Sequence, residues 1–355
     1  MACPRQWERV VQQWRAVGDE RLLQYVVRRL FVTIPMLLGT MSLVFFAMHV
    51  LPGDPCMAML GDQATGQALN DCTHQLGLDR PLLVQYGDYL WQSLHFNFGY
   101  SLLNRYPVTT YILQMLPYTL VLVLASTVVA IGIGLPTGML SAVQRRNPLI
   151  DYTARVIALL GLSMPVFWFG ILLLIVFSLH WDLFPLIGGG DLSTVVEMIG
   201  SGEVFVYPGD FLAAVFDVLH HLALPALALG FTLAATVSRV ARSTMLEVLN
   251  QDYIRTARAK GQRERAIVYK HALRNVMIPL LTIIGLFVAL AMTGTVLTET
   301  VFTRPGLGKM LVDAIEARDY PLAQGAITVF TMIIVTVNLI VDVLYAAFDP
   351  RVAYK

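Results

Sequence analysis

Long stretches without a charged residue alternate with charged connections along the 355 residues of this chain. A transmembrane helix needs about 20 apolar residues to cross roughly 30 Å of hydrocarbon, and each uncharged stretch reaches that length. The second stretch, residues 106–144, exceeds one span, so only its most apolar part is assigned to the membrane. The pattern therefore predicts an all-α integral membrane protein with six transmembrane helices. The predicted spans are residues 30–52, 115–143, 156–181, 218–239, 276–298 and 321–345.

A polar leader, residues 1–27, precedes this six-helix domain, which we assign to residues 28–355. The leader contains Trp7, Trp14 and several Arg, so it is either a helix lying on the membrane surface or a poorly ordered tail. The first span is not expected to be a cleaved signal peptide. Its apolar core is longer than a signal sequence needs, and LPGDP follows it instead of a small-residue cleavage site.

Composition agrees with a membrane protein. Only 14% of the residues are charged and 56% are hydrophobic, whereas about 25% are charged in a soluble domain. The mean hydropathy is +0.64. A formal net charge of +1 argues against a nucleic-acid partner, which would require a basic protein.

The distribution of Lys and Arg predicts the orientation. With the N-terminus in the cytoplasm, 20 of the 25 Lys and Arg residues fall on the cytoplasmic side, as the positive-inside rule requires. Both termini are then cytoplasmic, as is the loop of residues 240–275. The extracytoplasmic segments are residues 53–114, 182–217 and 299–320, which carry 15 of the 24 acidic residues.

Two of the three cysteines, Cys56 and Cys72, fall in the first extracytoplasmic segment. Disulfides persist outside the cytoplasm, and a bridge closing about 17 residues would contribute about 3 kcal/mol in the chain-entropy model. The alternative is two free or buried thiols, and the sequence leaves both possibilities open.

The cytoplasmic loop is longer and more ordered than a topology signal requires. Seven of its residues between 252 and 279 are Lys or Arg and only two are acidic. Its apolar positions recur every three or four residues, as on one face of a helix: Leu246, Leu249, Tyr253 and Ala257. Gly261 then predicts a helix end, and a second short helix leads into the next span. The apolar face either packs on the protein's own helix ends or docks on a partner protein.

The sequence contains no motif typical of ATP hydrolysis, metal binding or another catalytic activity. A phosphate-binding loop needs GxxxxGK followed by Ser or Thr, and the only Gly-Lys pair, Gly308–Lys309, lacks the first Gly and the final hydroxyl. His220 and His221 are adjacent and would point about 100° apart on a helix, which disfavours a shared metal. We therefore predict no catalytic residue, and an intramembrane protease or transferase is disfavoured.

Several segments carry a resemblance to a known family. They are LPGDP at 51–55, GLSMPVFW at 161–168, LNQDYIRTARAKG at 249–261, TETVFTRPGLG at 298–308 and VNLIVDVLY at 337–345. Over residues 22–355 the chain resembles permease subunits of ABC importers for dipeptides and oligopeptides, in particular the first of their two permease subunits. The general loop motif of such permeases, Glu-Ala-Ala, three residues and Gly, falls here on Arg255, Thr256, Ala257 and Gly261. Only Ala257 and Gly261 match it.

The resemblance implies a type I ABC-importer permease fold in the bacterial inner membrane. It implies a second homologous permease subunit, two cytoplasmic ATPases that bind ATP and Mg, and an extracytoplasmic peptide-binding protein. No cofactor or metal would be bound by this chain. Residues 252–262 would form a coupling helix that enters a groove on an ATPase, with Gly261 as its turn. The implied coupling residues are Asp252, Tyr253, Arg255, Thr256, Ala257, Lys260 and Gly261.

Three alternatives stay open at this stage. The first is the same fold with another cargo, such as nickel, glutathione or cationic antimicrobial peptides. An ATP-independent channel or carrier is a different class, but it has no use for the long basic loop. Within the spans, Gly134 and Gly138 form a GxxxG pair that serves either internal packing or a subunit interface.

Overall fold

The computed structural model describes residues 27–29, 31–50, 55–61, 64–75, 77–144 and 147–348. Almost all of the predicted leader and the last seven residues, 349–355, lie outside these ranges. In chain order the helices are α1 (Val27–Val50), α2 (Pro55–Leu60), α3 (Gly66–Gln75), α4 (Leu82–Leu94), α5 (Val108–Val143), α6 (Pro148–Ser163), α7 (Val166–Leu173), α8 (Leu192–Ser201), α9 (Pro208–Leu249), α10 (Asp252–Ala259), α11 (Glu264–Ala266), α12 (Leu273–Val301), α13 (Leu307–Glu316) and α14 (Tyr320–Phe348). π-Helical turns, Leu174–His180 and Ile267–Ala272, continue α7 and α11.

Five helices of the described chain are long and apolar enough to cross a membrane. They contain the stretches Val27–Val50, Val108–Val143, Pro208–Leu249, Ile283–Val301 and Tyr320–Val341. The structure interrupts the predicted third span, residues 156–181. There α6 ends at Ser163, and a shorter apolar helix, Val166–His180, follows. Pro165 cannot donate a backbone hydrogen bond, and Met164 before it takes an extended conformation (ψ 126°), so the helical ladder stops there.

The helix that contains the predicted fourth span is much longer than residues 218–239. α9 has 42 residues, about 63 Å at 1.5 Å per residue, and this exceeds the thickness of the hydrocarbon core. Hydropathy marks only the part of a helix that lies in lipid, so it did not predict that α9 continues beyond both ends of this span. Its C-terminal end forms the first part of the loop that the sequence predicts to be cytoplasmic.

Helices α5 and α9 are in backbone contact through glycines. A Cβ atom on Gly134 would lie 2.6 Å from the carbonyl oxygen of Ala234, and one on Gly138 would overlap the carbonyl oxygen of Ser238. On the other helix, a Cβ atom on Gly230 would lie 2.6 Å from the carbonyl oxygen of Ser126. The Gly134–Gly138 pair therefore serves packing within this chain.

A disulfide joins α2 to α3 in the first polar connection. The Cα atoms of Cys56 and Cys72 lie 5.8 Å apart and both side chains are buried. Of the two possibilities that the sequence left open, the structure has the bridge.

Two large clusters of buried side chains fill the bundle. One joins α1, α5, α12, α13 and α14. The other lies where the segment from α10 to the start of α12 meets α5 and α9, and its buried members include Met139, Val237, Met245, Ile254, Ile267, Val276 and Leu280. This second group, called here the loop cluster, positions the candidate site.

Candidate functional site

Residues 240–249 of the predicted loop belong to α9, and a short break separates them from α10. α9 ends at Leu249, the side-chain amide of Asn250 donates to the carbonyl of Leu246 (2.9 Å), and Gln251 is extended (φ −74°, ψ 153°). The apolar positions from Leu246 to Ala257 therefore belong to two helices, and their prediction as one helical face was wrong. Asn250 supplies the physical reason, because its side chain caps a helix end.

α10 lies against the loop cluster by one face only. Ile254 is fully buried in that cluster, and Ala257 is half-buried against it. The opposite face exposes Asp252, Arg255 and Thr256. The apolar side thus packs on the protein's own helix ends, and Ala257 contacts them while staying half exposed.

Gly261 ends α10 with a left-handed backbone. Its φ is +73°, and its N–H donates to the carbonyl of Arg258 (2.9 Å) while Gln262 donates to that of Ala257 (3.3 Å). A Cβ atom added there would meet no atom of this chain within 4 Å. Glycine is therefore required by the backbone conformation, which costs other residues about 1 kcal/mol or more.

Side-chain hydrogen bonds hold α10 to the segment that follows it. The side-chain amide of Asn275 donates to the hydroxyl oxygen of Tyr253 (2.6 Å). A ring nitrogen of His271 lies 2.8 Å from Oε1 of Gln262. These contacts tie the helix and its glycine turn to the start of α12.

An ion pair spans the turn itself. Arg258 donates to both carboxylate oxygens of Glu264, at 2.6 and 3.2 Å. The hydrogen bonds from Arg258 lower the pKa of Glu264, and those to Glu264 raise the pKa of Arg258. Both side chains are about half exposed, so the pair contributes little to stability and acts mainly by orienting the turn.

The structure brings the predicted coupling residues together on one short, solvent-exposed element. Six of them lie on α10 or at its C-terminal end, and Gly261 forms the turn. Exposed basic residues follow one another along α10, the turn and α11: Arg255, Arg258, Lys260, Arg263 and Arg265. Such a basic surface suits contact with another protein surface that bears acidic or polar groups.

A second constellation, at the other end of α12, was not identified as a site from the sequence. Glu299 is fully buried and accepts three hydrogen bonds, from Thr119 Oγ1 (2.6 Å) and from the backbone N–H groups of Gly308 (2.7 Å) and Lys309 (3.1 Å). The Thr119 hydroxyl also accepts from the N–H of Leu307 (2.8 Å). A carboxylate at the N-terminus of α13 satisfies amides that have no partner within the helix.

Arg304 completes this buried group. Its side chain is fully buried, donates from Nη1 to the carbonyl of Gly189 (3.3 Å), and lies 5.7 Å from the ring centre of Tyr118. Burial lowers the pKa of Arg304 to about 10, while the negative charge of Glu299 raises it, so the guanidinium stays protonated at neutral pH. Within the described chain, its Nε and Nη2 have no hydrogen-bond partner.

The segment TETVFTRPGLG thus folds around its own carboxylate. A Cβ atom on Gly306 would overlap the carboxylate of Glu299, which explains the glycine. We call the group of Thr119, Glu299, Arg304 and the N-terminus of α13 the buried brace. It joins α5, α12 and α13 to the loop before α8. One signal in the sequence pointed to it, namely an acidic residue at the end of an apolar run followed by Pro-Gly-x-Gly.

Neither constellation resembles a metal centre. Across the part of the chain that the structure describes, no group of three or more His, Cys, Asp or Glu side chains is placed to hold a metal ion.

Two family models match the chain. The model described as "Binding-protein-dependent transport system inner membrane component" matches residues 134–354. The model for the N-terminal part of such membrane components matches residues 22–123. Together they cover the loop, the buried brace and the disulfide.

Two peptide-transport permeases are similar to this chain over nearly their whole length. The dipeptide transport system permease protein DppB of Escherichia coli (strain K12) is 39% identical over 345 residues, covering 94% of this chain and 100% of the relative. The oligopeptide transport system permease protein AppB of Bacillus subtilis (strain 168) is 40% identical over 331 residues, covering 93% and 99%.

A solved structure has a similar fold. It is the MetNI methionine ABC transporter in an inward-facing conformation, with a TM-score of 0.52 and 16% identity over 67% of this chain and 96% of the solved chain. This similarity confirms the predicted class, an all-α ABC-importer permease fold.

Proposed function

Since this chain belongs to the inner membrane components of binding-protein-dependent transport systems, we propose that it passes dipeptides or short oligopeptides through the membrane. The chain is a multi-pass permease subunit of an ABC importer, and ATP hydrolysis belongs to separate subunits. The peptide cargo is supported by relatives about 40% identical over 93–94% of the chain that carry dipeptide or oligopeptide transport in their names. These names favour peptides over nickel, glutathione or antimicrobial peptides.

One observation carries the coupling role: α10 is a short helix with an exposed outer face, anchored on its inner face by fully buried Ile254. A partner that pushes on the outer face would move the loop cluster, and with it the ends of α9 and α12. We infer that the partner is an ATPase that binds ATP and Mg. The coupling residues would be Asp252, Tyr253, Arg255, Thr256, Lys260 and Gly261. Ala257 would contribute through its contact with the loop cluster.

The complete importer would contain a second, homologous permease, two ATPases and an extracytoplasmic peptide-binding protein. The disulfide between Cys56 and Cys72 supports the proposed orientation, because disulfides persist outside the cytoplasm. With residues 55–75 outside, α10 and both termini lie in the cytoplasm. The acidic extracytoplasmic segments would then face the binding protein.

Deletion and complementation test the cargo. Deleting the gene should abolish growth on a dipeptide as the sole source of a required amino acid, and leave growth on the free amino acid unchanged. The wild-type gene should restore it. Loss of nickel or glutathione uptake with intact dipeptide uptake would overturn the peptide assignment and leave the permease assignment standing.

Purification tests the coupling. Two ATPase subunits should accompany the tagged chain from detergent-solubilised membranes, and peptide uptake by the reconstituted complex should require ATP. Uptake by the purified chain alone, without an ATPase, would instead establish a channel or carrier.

A further inference from the structure

A cavity of about 680 Å³ lies on the proposed extracytoplasmic side, apart from both the loop and the buried brace. Its walls come from the end of α1, from residues 77–80 before α4, from α4 itself, from the turn at residues 97–105 and from the start of α14. Cavities that bind small molecules typically measure about 300–1,000 Å³ and combine an apolar floor with a few polar groups. Here the floor is apolar, with Phe45, Met48, Phe98 and Pro321.

The rim of the cavity carries both signs of charge. Arg80 and Asp88 line it and form an ion pair at 3.2 Å, with both side chains about half exposed. Arg105 also lines it, and among the described residues its guanidinium has no carboxylate partner. Gln92 and Gln324 add two side-chain amides that make no hydrogen bond within the described chain.

Arg105 is held in place by a tight and unusual backbone. Its φ is +51°, a left-handed conformation that non-glycine residues rarely adopt. Its N–H donates to the carbonyl of Ser101 (3.0 Å). The hydroxyl of Ser101 and the N–H of Leu102 both donate to Asp319, next to the start of α14. Strained residues cluster at ligand-binding sites, and this one lies at the edge of the cavity, which supports a ligand role for Arg105.

This combination matches a short peptide with free termini. The carboxylate of such a peptide can accept two parallel hydrogen bonds from a guanidinium. Its ammonium group pairs with an acidic side chain of the protein. Its amide bonds need donors and acceptors of the kind that Gln92 and Gln324 present. A lone cation or a lone anion would use only part of the rim.

We propose that this cavity is a holding site for a short unblocked peptide, with the peptide carboxylate on Arg105 and its ammonium group on Oδ1 of Asp88, whose Oδ2 is held by Arg80. The proposal rests on the proposed function, since it assigns that cargo a place on the permease before passage. It adds a peptide site on this chain that is distinct from the binding protein.

Binding to the purified importer complex without the binding protein tests the site. Radiolabelled dialanine should bind, and N-acetyl-dialanine amide, which lacks both terminal charges, should bind at least tenfold more weakly. Arg105→Gln should weaken dialanine binding at least tenfold. Arg318→Gln is the matched control, because Arg318 also has a positive φ (57°) and an exposed side chain but does not line the cavity.

Three results would overturn the proposal. Dialanine could fail to bind while cells still import it through the binding protein, in which case the proposed function stands without this site. Arg105→Gln and Arg318→Gln could have equal effects on dialanine binding. Arg105→Gln could weaken only the association of the binding protein, which would make the cavity a docking site for that protein. Absence of dipeptide import in cells would instead refute the proposed function itself.

Discussion

The hydroxyl oxygen of Tyr253 accepts a 2.6 Å hydrogen bond from the side-chain amide of Asn275, across 22 residues of sequence. This bond links the middle of the loop of residues 240–275 to the first turn of α12. Tyr253 lies on the proposed coupling helix, and α12 leads to the buried brace at its other end. A displacement of α10 therefore has a direct route to a membrane-spanning helix.

Removing this link should loosen coupling without releasing the ATPases. A side-chain hydrogen bond contributes about 0.5–1.5 kcal/mol, so Tyr253→Phe should leave the fold intact. We expect the number of ATP molecules hydrolysed per imported peptide to rise severalfold. Tyr269→Phe is the control, because Tyr269 is an exposed tyrosine of the same loop with no hydrogen bond of its hydroxyl in the described chain. Equal ratios for the two variants would show that the bond carries no coupling.

Gly261 should tolerate asparagine better than alanine. Its φ of +73° is accessible to Asn at a small cost, whereas Ala pays about 1 kcal/mol. Protease sensitivity of the loop should therefore rise from wild type to Gly261→Asn to Gly261→Ala. Gly209→Ala, at an exposed glycine with open space around it and no positive φ, should change nothing. If Gly261→Asn fails to transport while its loop stays protected, the glycine is needed for room beside the ATPase.

The two faces of α10 should respond differently to a bulky side chain. Ala257→Trp overpacks the loop cluster and should cost about 1–3 kcal/mol, lowering the melting temperature. Ala259→Trp lies on the exposed face, so it should leave the melting temperature unchanged and reduce ATPase co-purification. The reverse outcome, with Ala259→Trp harmless to ATPase binding, would argue against α10 as the coupling helix.

Thr119 should be important for stability although it carries no charge. Thr119→Val leaves the N–H of Leu307 and one oxygen of Glu299 without partners, and each buried unsatisfied group costs about 1–3 kcal/mol. Thermal unfolding followed by size-exclusion chromatography in detergent should show a clear decrease in melting temperature. Thr300→Val is the control, because Thr300 is exposed and bonds only to the carbonyl of Val296 in its own helix.

The disulfide should be visible by thiol labelling. In a Cys3→Ser background the only remaining cysteines are Cys56 and Cys72, so unfolded protein should label only after reduction. Replacing both by serine should destabilise the segment by up to about 3 kcal/mol in the chain-entropy model. Equal labelling with and without reductant would contradict the bridge.

The sequence by itself determined the class of protein and the location of its loop. Apolar stretches long enough for a bilayer, the concentration of Lys and Arg in residues 240–275 and the glycine at 261 are all local properties. The family motifs are local as well, and the comparisons confirmed the resemblance that they carry. Whether a span is one continuous helix was harder to predict, because hydropathy does not detect the backbone break at Pro165.

Only the tertiary structure decided which residues meet. Thr119 reaches Glu299 across 180 residues, and Gly138 contacts α9 across about 100. Ala257 faces inward only because α10 starts after a break at Asn250 and Gln251, which resets the helical face that residue spacing predicted. Periodicity and charge act along the chain, whereas these contacts depend on how helices far apart in sequence pack against one another, and packing is set by all of their surfaces together.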